Sequence, residues 1–162
     1  MRILTISCIV LLFFACNTEP SSNWKELDLL SHGIPFSINA PDSVDIEVKD
    51  FGTIVKDVTI KKGSDYYVQI FASDARNDDL ETVKKEQLNE VKSNPYFSKI
   101  VKDLPSGFIY ESKIDSSNIN YGFKYIKLQG SKEYLISNGL IGIFSEEEIN
   151  KMYESVSKTP IK

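Results

Sequence analysis

Residues 120–139 read NYGFKYIKLQGSKEYLISNG, and this stretch decides the fold. Aromatic and β-branched residues alternate with polar ones on both sides of Gly130-Ser131, as in two strands joined by a short turn. We predict strands at 120–129 and 132–137. A turn of this length favours antiparallel pairing, because a parallel crossover needs about a dozen residues or more. The stretch therefore predicts an antiparallel sheet.

Further strands are predicted on both sides of this hairpin. The segment 34–40 alternates cleanly, with Ile34, Phe36 and Ile38 on one face and Pro35 favouring an edge position. Similar alternation predicts strands at 24–30, 44–48, 54–61, 66–73, 97–101 and 108–114. Residues 140–144 form one more short apolar segment after the turn at Asn138-Gly139.

Two segments change to a helical period. The first begins at Asp78, the predicted N-cap, has Glu81 three residues later and ends at 93–95. The second begins with Ser145 and Glu148 in the spacing of a capping box. Their apolar stripes are Leu80, Val83, Leu88 and Val91 in the first, and Ile149, Met152, Tyr153 and Val156 in the second. Two amphipathic helices covering one face of an antiparallel sheet give an α+β architecture.

The N-terminus has the layout of an export signal. Arg2 precedes 13 almost wholly apolar residues, 3–15, and Cys16 follows them. A spanning helix needs about 20 apolar residues, so this run is too short for a permanent transmembrane segment. Polar residues follow directly from Asn17 to Asn23, which is typical of a flexible tether.

The junction at Ala15-Cys16 resembles the lipobox of bacterial lipoproteins. This resemblance implies that residues 1–15 are removed as a signal peptide and that Cys16 becomes the first residue. It further implies a thioether-linked diacylglycerol on the Cys16 thiol and a fatty acyl chain, such as palmitate, on its new amine. The expected location is a bacterial cell envelope, and Asn17 favours the outer membrane. The alternative is a plain secretory peptide with an incidental cysteine.

Cleavage would change the composition of the chain. Removing 15 of 162 residues leaves 147, and loss of Arg2 shifts the formal charge from −4 to −5. Cys8 would leave with the signal, so the mature domain would hold no free thiol and no disulfide. We predict a lipidated cysteine and tether at 16–23 and a single domain at 24–162. The acidic balance argues against a nucleic-acid partner.

The order of elements gives a second resemblance. The phrases IPFSINAP at 34–41 and FSEEEINKMYESV at 144–156 resemble the opening strand and closing helix of PsbP/Mog1-like domains. The resemblance covers roughly residues 27–157 and implies an α/β/α sandwich of uncharacterised function. Cystatin-like and lipocalin-like domains are the alternative antiparallel α+β folds.

Candidate chemistry is sparse in this sequence. His32 is the sole histidine of the sequence, and the mature chain would have no free thiol. A catalytic triad or a structural zinc site would therefore lack the residues it needs. Asp74, Asp78 and Asp79 are candidates for a weak calcium site, but they lack the spacing of an EF-hand loop. Arg76 is the single arginine after the signal, which weakens anion recognition. We therefore predict no catalytic residues, no metal and no cofactor.

The remaining candidates are aromatic. Tyr121, Phe123 and Tyr125 share one face of their strand, and Tyr121 and Tyr125 are the predicted partner-binding residues. If both helices cover the other face, these tyrosines would be exposed. The alternative is that these aromatics pack in the core or in cross-strand pairs. We expect a non-catalytic, lipid-anchored domain that binds a protein or glycan partner. The alternatives are a small-ligand carrier or hydrolase with a carboxylate/tyrosine pocket, and a structural role within an envelope complex.

Overall fold

The computed structural model describes residues 24–52, 55–115 and 117–158. The predicted signal peptide at 1–15, the Cys16 lipidation site and the tether up to residue 23 lie outside the described residues. Within the described ranges, no helix has the length and apolar character needed to cross a membrane.

In the part of the chain that the structure describes, nine strands form two antiparallel sheets. The smaller sheet pairs β1 with β2, and the larger has the order β3-β4-β5-β9-β8-β7-β6. Strand bounds are β1 Lys25–Asp28, β2 Ser37–Ala40, β3 Asp45–Asp50, β4 Val55–Lys62, β5 Tyr66–Asp74, β6 Phe97–Leu104, β7 Gly107–Lys113, β8 Ile119–Gln129 and β9 Lys132–Asn138. The predicted α+β class with an antiparallel sheet is confirmed. The more specific resemblance to PsbP/Mog1-like domains stays a prediction.

The helices begin close to their predicted starts. Helix α1 spans Leu80–Ser93, and its N-cap is Asp79, whose carboxylate accepts hydrogen bonds from the backbone N–H groups of Glu81 and Thr82. The prediction of Asp78 as N-cap is therefore wrong by one residue. Helix α2 spans Glu146–Ser157 and has the predicted capping box between Ser145 and Glu148.

The helices lie on opposite sides of the large sheet. The ring of Tyr153 in α2 packs edge-on against Phe123 and Tyr125 of β8. Glu90 of α1 lies near Lys124, the residue between those two aromatics, whose side chain points to the other side because strand residues alternate. The expectation that both helices cover one face is wrong. Helix α1 lies in the connection between β5 and the distant edge strand β6. This connection crosses the face of the sheet that α2 does not cover.

The main core lies between the sheet and α2. The β1–β2 hairpin and a 3-10 turn at Leu30–His32 cover the rest of this side. The predicted stripe of α2 is buried in full, and so are Ile34 and Ile38 of the predicted strand face. A smaller group on the α1 side consists of Val83, Val91, Phe108 and Ile126. Gln87 of α1 is also buried, whereas the predicted Leu80 and Leu88 are half-buried.

The short apolar segment after the turn at Asn138-Gly139 is not part of a strand. Leu140–Phe144 forms a loop between β9 and α2. Only Phe144 is buried there. The loop crosses the end of the sheet, where β8 begins and β9 ends, and this end of the sheet holds the candidate site.

Candidate functional site

A cleft of about 320 Å³ opens at the end of the sheet where β7 ends and β8 begins. We call it the tyrosine cleft, because three tyrosines lie among its lining residues. Its walls come from the C-terminal end of α1, from β7, β8 and β9, and from the start of the β9–α2 loop. The lining residues are Asn94, Tyr96, Tyr110, Ser112, Ile114, Asn120, Tyr121, Lys124, Ser137, Asn138, Gly139 and Leu140.

Tyr110 and Lys124 form the deeper part of this cleft. The Tyr110 ring lies directly over Gly122, where an added Cβ would sit 2.5 Å from the hydroxyl oxygen and ring carbon of the tyrosine. A side chain at position 122 would therefore displace the ring. Burial raises the pKa of Tyr110, and the nearby carboxylate of Glu90 raises it further. Burial also lowers the pKa of the half-buried Lys124 amine, although Glu90 opposes this shift. Both groups are therefore partly withdrawn from water.

Asparagine side chains hold the walls of the cleft in place. The Asn138 side-chain oxygen accepts a hydrogen bond from the Phe123 backbone N–H at 3.0 Å. Asn120 donates to the Gly142 carbonyl at 3.2 Å and accepts from the Phe144 N–H at 2.8 Å. At the end of α1, Asn94 accepts from the Tyr96 N–H at 2.9 Å. These bonds fix the loops around the opening before any ligand arrives.

Tyr121 lies at the edge of the cleft beside a buried carboxylate. Its hydroxyl donates to Glu111 at 3.4 Å, and Glu111 also accepts from the Ser98 hydroxyl at 2.9 Å. Lys99 and Lys113 lie 3.2 Å and 3.6 Å from the same carboxylate. The hydrogen bond from Ser98 lowers the pKa of Glu111, and the two lysines lower it further. Glu111 is therefore ionised, and its carboxylate is paired with both lysines. In this arrangement it holds the Tyr121 hydroxyl in position by accepting its hydrogen bond.

Tyr125, the other predicted binding residue, does not line the cleft. It is half-buried, and its ring packs edge-on against Tyr153 of α2 at 5.7 Å between centroids. Because Tyr121, Phe123 and Tyr125 face the side that α2 covers, they pack in or against the main core and do not form an exposed aromatic face. Of the two arrangements that the sequence allows, the structure has the packed one. The structure therefore separates the two predicted tyrosines. Their role in binding a partner stays a prediction.

An apolar loop, defined as residues 140–143, borders the cleft. Leu140, Ile141 and Ile143 are 89%, 81% and 69% exposed, whereas large aliphatic side chains are usually buried. The loop is held at both ends. The Gly139 N–H donates to the Tyr67 carbonyl at 3.0 Å, and the Tyr121 N–H donates to the Phe144 carbonyl at 3.1 Å. Three large apolar side chains are thus presented to solvent by a well-anchored loop.

A second cleft, of about 250 Å³, lies at the opposite end of the sheet. Its charged residues are used in ion pairs: Lys56 lies 3.3 Å from Asp50, and Lys132 lies 2.7 Å from Asp74. The other lining residues are Gly33, Gly52, Val55, Ala72 and Tyr134. This cleft offers fewer aromatic and amide groups than the tyrosine cleft.

The other sequence candidates do not converge. Asp74 pairs with Lys132, and Asp79 caps α1, so neither is arranged around a common point with Asp78. His32 ends the 3-10 turn, and Arg76 is exposed. Among the described residues, no group of three or more His, Cys, Asp or Glu side chains is placed to hold a metal ion.

Sequence reasoning missed Tyr96 and Lys124 as cleft residues, and Tyr110 was an aromatic candidate that the sequence could not place at a cleft. Each belongs to a different part of the chain, and only the long-range order of strands brings them together. The one available signal was Tyr96, an aromatic residue in the polar loop after α1. No family model, no curated protein and no solved structure matches this chain. The function must therefore be argued from the geometry of the site.

Proposed function

We propose that this chain is a lipid-anchored protein of a bacterial cell envelope, most consistent with the outer membrane, whose domain binds a protein or glycan partner in the tyrosine cleft. The observation that carries the proposal is the cleft itself, which combines three tyrosines with three asparagines and a half-buried lysine. Aromatic rings and amides together suit the apolar faces and hydroxyl groups of sugars, and they equally suit peptide groups.

The lining of the cleft favours binding over chemistry. Among the described residues that line it, none carries a carboxylate. The hydrolase alternative required Asp or Glu to converge with tyrosine in a pocket. Glu111, which accepts the hydrogen bond from Tyr121, is paired with two lysines, and Glu90, which lies near Tyr110, is not among the lining residues. The cleft volume is within the range of small-ligand sites, so a carrier of a small ligand is the alternative that the geometry leaves open.

The anchor is tested by replacing Cys16 with alanine in cells that process lipoproteins. We expect the wild-type protein to sediment with membranes and to incorporate a labelled fatty acid. The variant should lose the label and leave the membrane fraction, because the thiol that carries the diacylglycerol is gone. A Cys16→Ala protein that keeps the lipid label would contradict the proposal.

The cleft is tested with two matched surface variants. Tyr96→Ser removes a 51% exposed ring from the cleft, and Phe51→Ser removes a 60% exposed ring from the β3–β4 turn at the opposite end of the sheet. Tagged protein is recovered from intact cells after chemical crosslinking. We expect Tyr96→Ser to lose the crosslinked partner and Phe51→Ser to retain it. Equal recovery by both variants would rule out the tyrosine cleft as the binding site.

A further inference from the structure

The exposed side chains of the apolar loop are oriented by its backbone. Gly142 has a positive φ of 148°, and a Cβ there would lie 2.7 Å from the Phe144 ring. Phe144 is buried in the main core, so Gly142 packs against a fixed ring. Gly139 also packs closely against an aromatic ring, that of Tyr67, which leaves no space for a Cβ. Because these two contacts hold the backbone on both sides, the side chains of Leu140 and Ile141 cannot turn toward the core.

The chain enters the domain at the same end of the sheet. The Trp24 ring packs edge-on against Tyr66 at 5.1 Å between centroids. Tyr66 begins β5, and the next residue, Tyr67, accepts the hydrogen bond from Gly139 that starts the apolar loop. Trp24 and the loop therefore share one end of the sheet, which we call the anchor end.

The length of chain before Trp24 limits how the domain can turn. The eight links from Cys16 to Trp24 reach at most about 29 Å when fully extended. The longest strand, β8, has 11 residues and spans roughly 37 Å. A lipid on Cys16 would thus hold the anchor end close to the bilayer and keep the opposite end away from it.

We infer that Leu140, Ile141 and Ile143 insert into the bilayer that holds the lipid of Cys16. The inference rests on the lipid anchor of the proposed function. Insertion into a lipid surface requires exposed apolar side chains and no charge among them. Residues 140–143 contain no charged side chain, so the loop meets this requirement. Glu146, which begins α2 just after the loop, is an exposed acid, which favours shallow insertion driven by apolar contact alone.

The inference also locates the partner. Leu140 lines the tyrosine cleft, so inserting the loop places the cleft opening at the membrane surface. The partner that fits this placement is itself presented at that surface, as a lipid-linked glycan or a membrane-bound protein would be.

The test uses the full chain, processed in cells and reconstituted into phosphatidylcholine vesicles. Acylated Cys16 is blocked, so Ile141→Cys supplies the only free thiol for an environment-sensitive fluorophore. Ser131→Cys, exposed in the β8–β9 turn at the opposite end of the sheet, is the matched control. We expect emission from position 141 to shift to shorter wavelength and to be quenched by nitroxide in the upper acyl chain, at low and high salt alike. The label at position 131 should show neither effect.

Three results would overturn the inference. Water-like emission from position 141, with acylation of Cys16 verified by mass spectrometry, would refute insertion and leave the anchor intact. A blue shift without nitroxide quenching would indicate contact with a second copy of the chain instead of lipid. Equal quenching at positions 141 and 131 would refute the orientation. Absence of any acyl chain on Cys16 would contradict the proposed function itself.

Discussion

Glu111 is the clearest case of a residue whose environment decides its charge. It is 3% exposed on β7, yet it accepts hydrogen bonds from Ser98 and Tyr121 and lies beside two lysines. These contacts lower its pKa, with the Ser98 hydrogen bond as the largest cause. A carboxyl group whose pKa is lower in the folded state stabilises the fold at pH values above its ordinary pKa, about 4.3, and this contribution is lost as the pH falls.

The Glu111→Gln variant should therefore show a weaker acid response than the wild type. At pH 7 the variant is expected to unfold at lower urea concentration, because the amide keeps hydrogen-bonding ability and loses the attraction to Lys99 and Lys113. On acidification below the ordinary pKa of a glutamate, as the pH falls through the lowered pKa of Glu111 in the folded state, the two urea midpoints should converge. Glu47→Gln, at an exposed site on β3, serves as the control and should change the pH 7 midpoint little. Parallel pH profiles for Glu111→Gln and wild type would contradict this assignment.

Individual residues also show the limits of sequence reasoning. Alternation correctly placed Tyr121 and Tyr125 on one face of β8. It does not say which helix covers that face, because this depends on the path of the chain between β5 and β6. For this reason the exposure of the two tyrosines could not be predicted from the sequence, although their position on the same face could.

At the level of elements, helix starts are local and were predictable. The Ser145 N–H and hydroxyl both reach the Glu148 carboxylate at 2.7 Å, and the Glu148 N–H donates back to the Ser145 hydroxyl at 3.3 Å. All of these groups lie within four residues, so the spacing alone indicates the cap. Asp78 and Asp79 are both good N-cap residues in adjacent positions, and the choice between them depends on the exact direction of the chain entering α1.

Replacing Ser145 with alanine should destabilise the domain by about 1 kcal/mol, because the first turn of α2 loses its cap. Helix α2 covers the main core, so the loss should appear in the global unfolding transition followed by urea denaturation. Ser131→Ala, at an exposed turn position, is the control and should stay within about 0.5 kcal/mol of the wild type. A Ser145→Ala midpoint equal to that of Ser131→Ala would show that the capping box contributes nothing measurable.

Strand order and the apolar loop were not predictable at this level. Sequence patterns indicated hairpins between neighbouring strands, but β9 lies between β5 and β8, and its pairing with β5 joins residues as distant in sequence as Val68 and Asn138. The loop at 140–143 has a strand-like composition, yet Gly142 and the buried Phe144 draw the backbone across the end of the sheet. The apolar composition of this segment favours burial, but in this topology no neighbouring strand is available to pair with it and bury it.

At the scale of the whole molecule, three features lie together at the anchor end. The tyrosine cleft, the apolar loop and the entry of the chain at Trp24 all lie there. The opposite end holds the smaller cleft, whose charges are already paired. This polarity results from the order of the strands combined with the position of Trp24. Tyr121 was found from the sequence, and only the fold brings Tyr96 and Tyr110 beside it.

The most direct test of the central claim, that the tyrosine cleft binds a partner, is site-specific photocrosslinking in intact cells. A photoreactive amino acid replaces Tyr96 at the cleft or Phe51 at the opposite end; both positions are exposed and both carry an aromatic side chain. We predict a discrete crosslinked adduct from position 96 and none from position 51, with loss of the position 96 adduct when Gly122→Ala displaces the Tyr110 ring. Identical adducts from both positions, or no adduct from position 96 in membrane-anchored protein, would contradict the account.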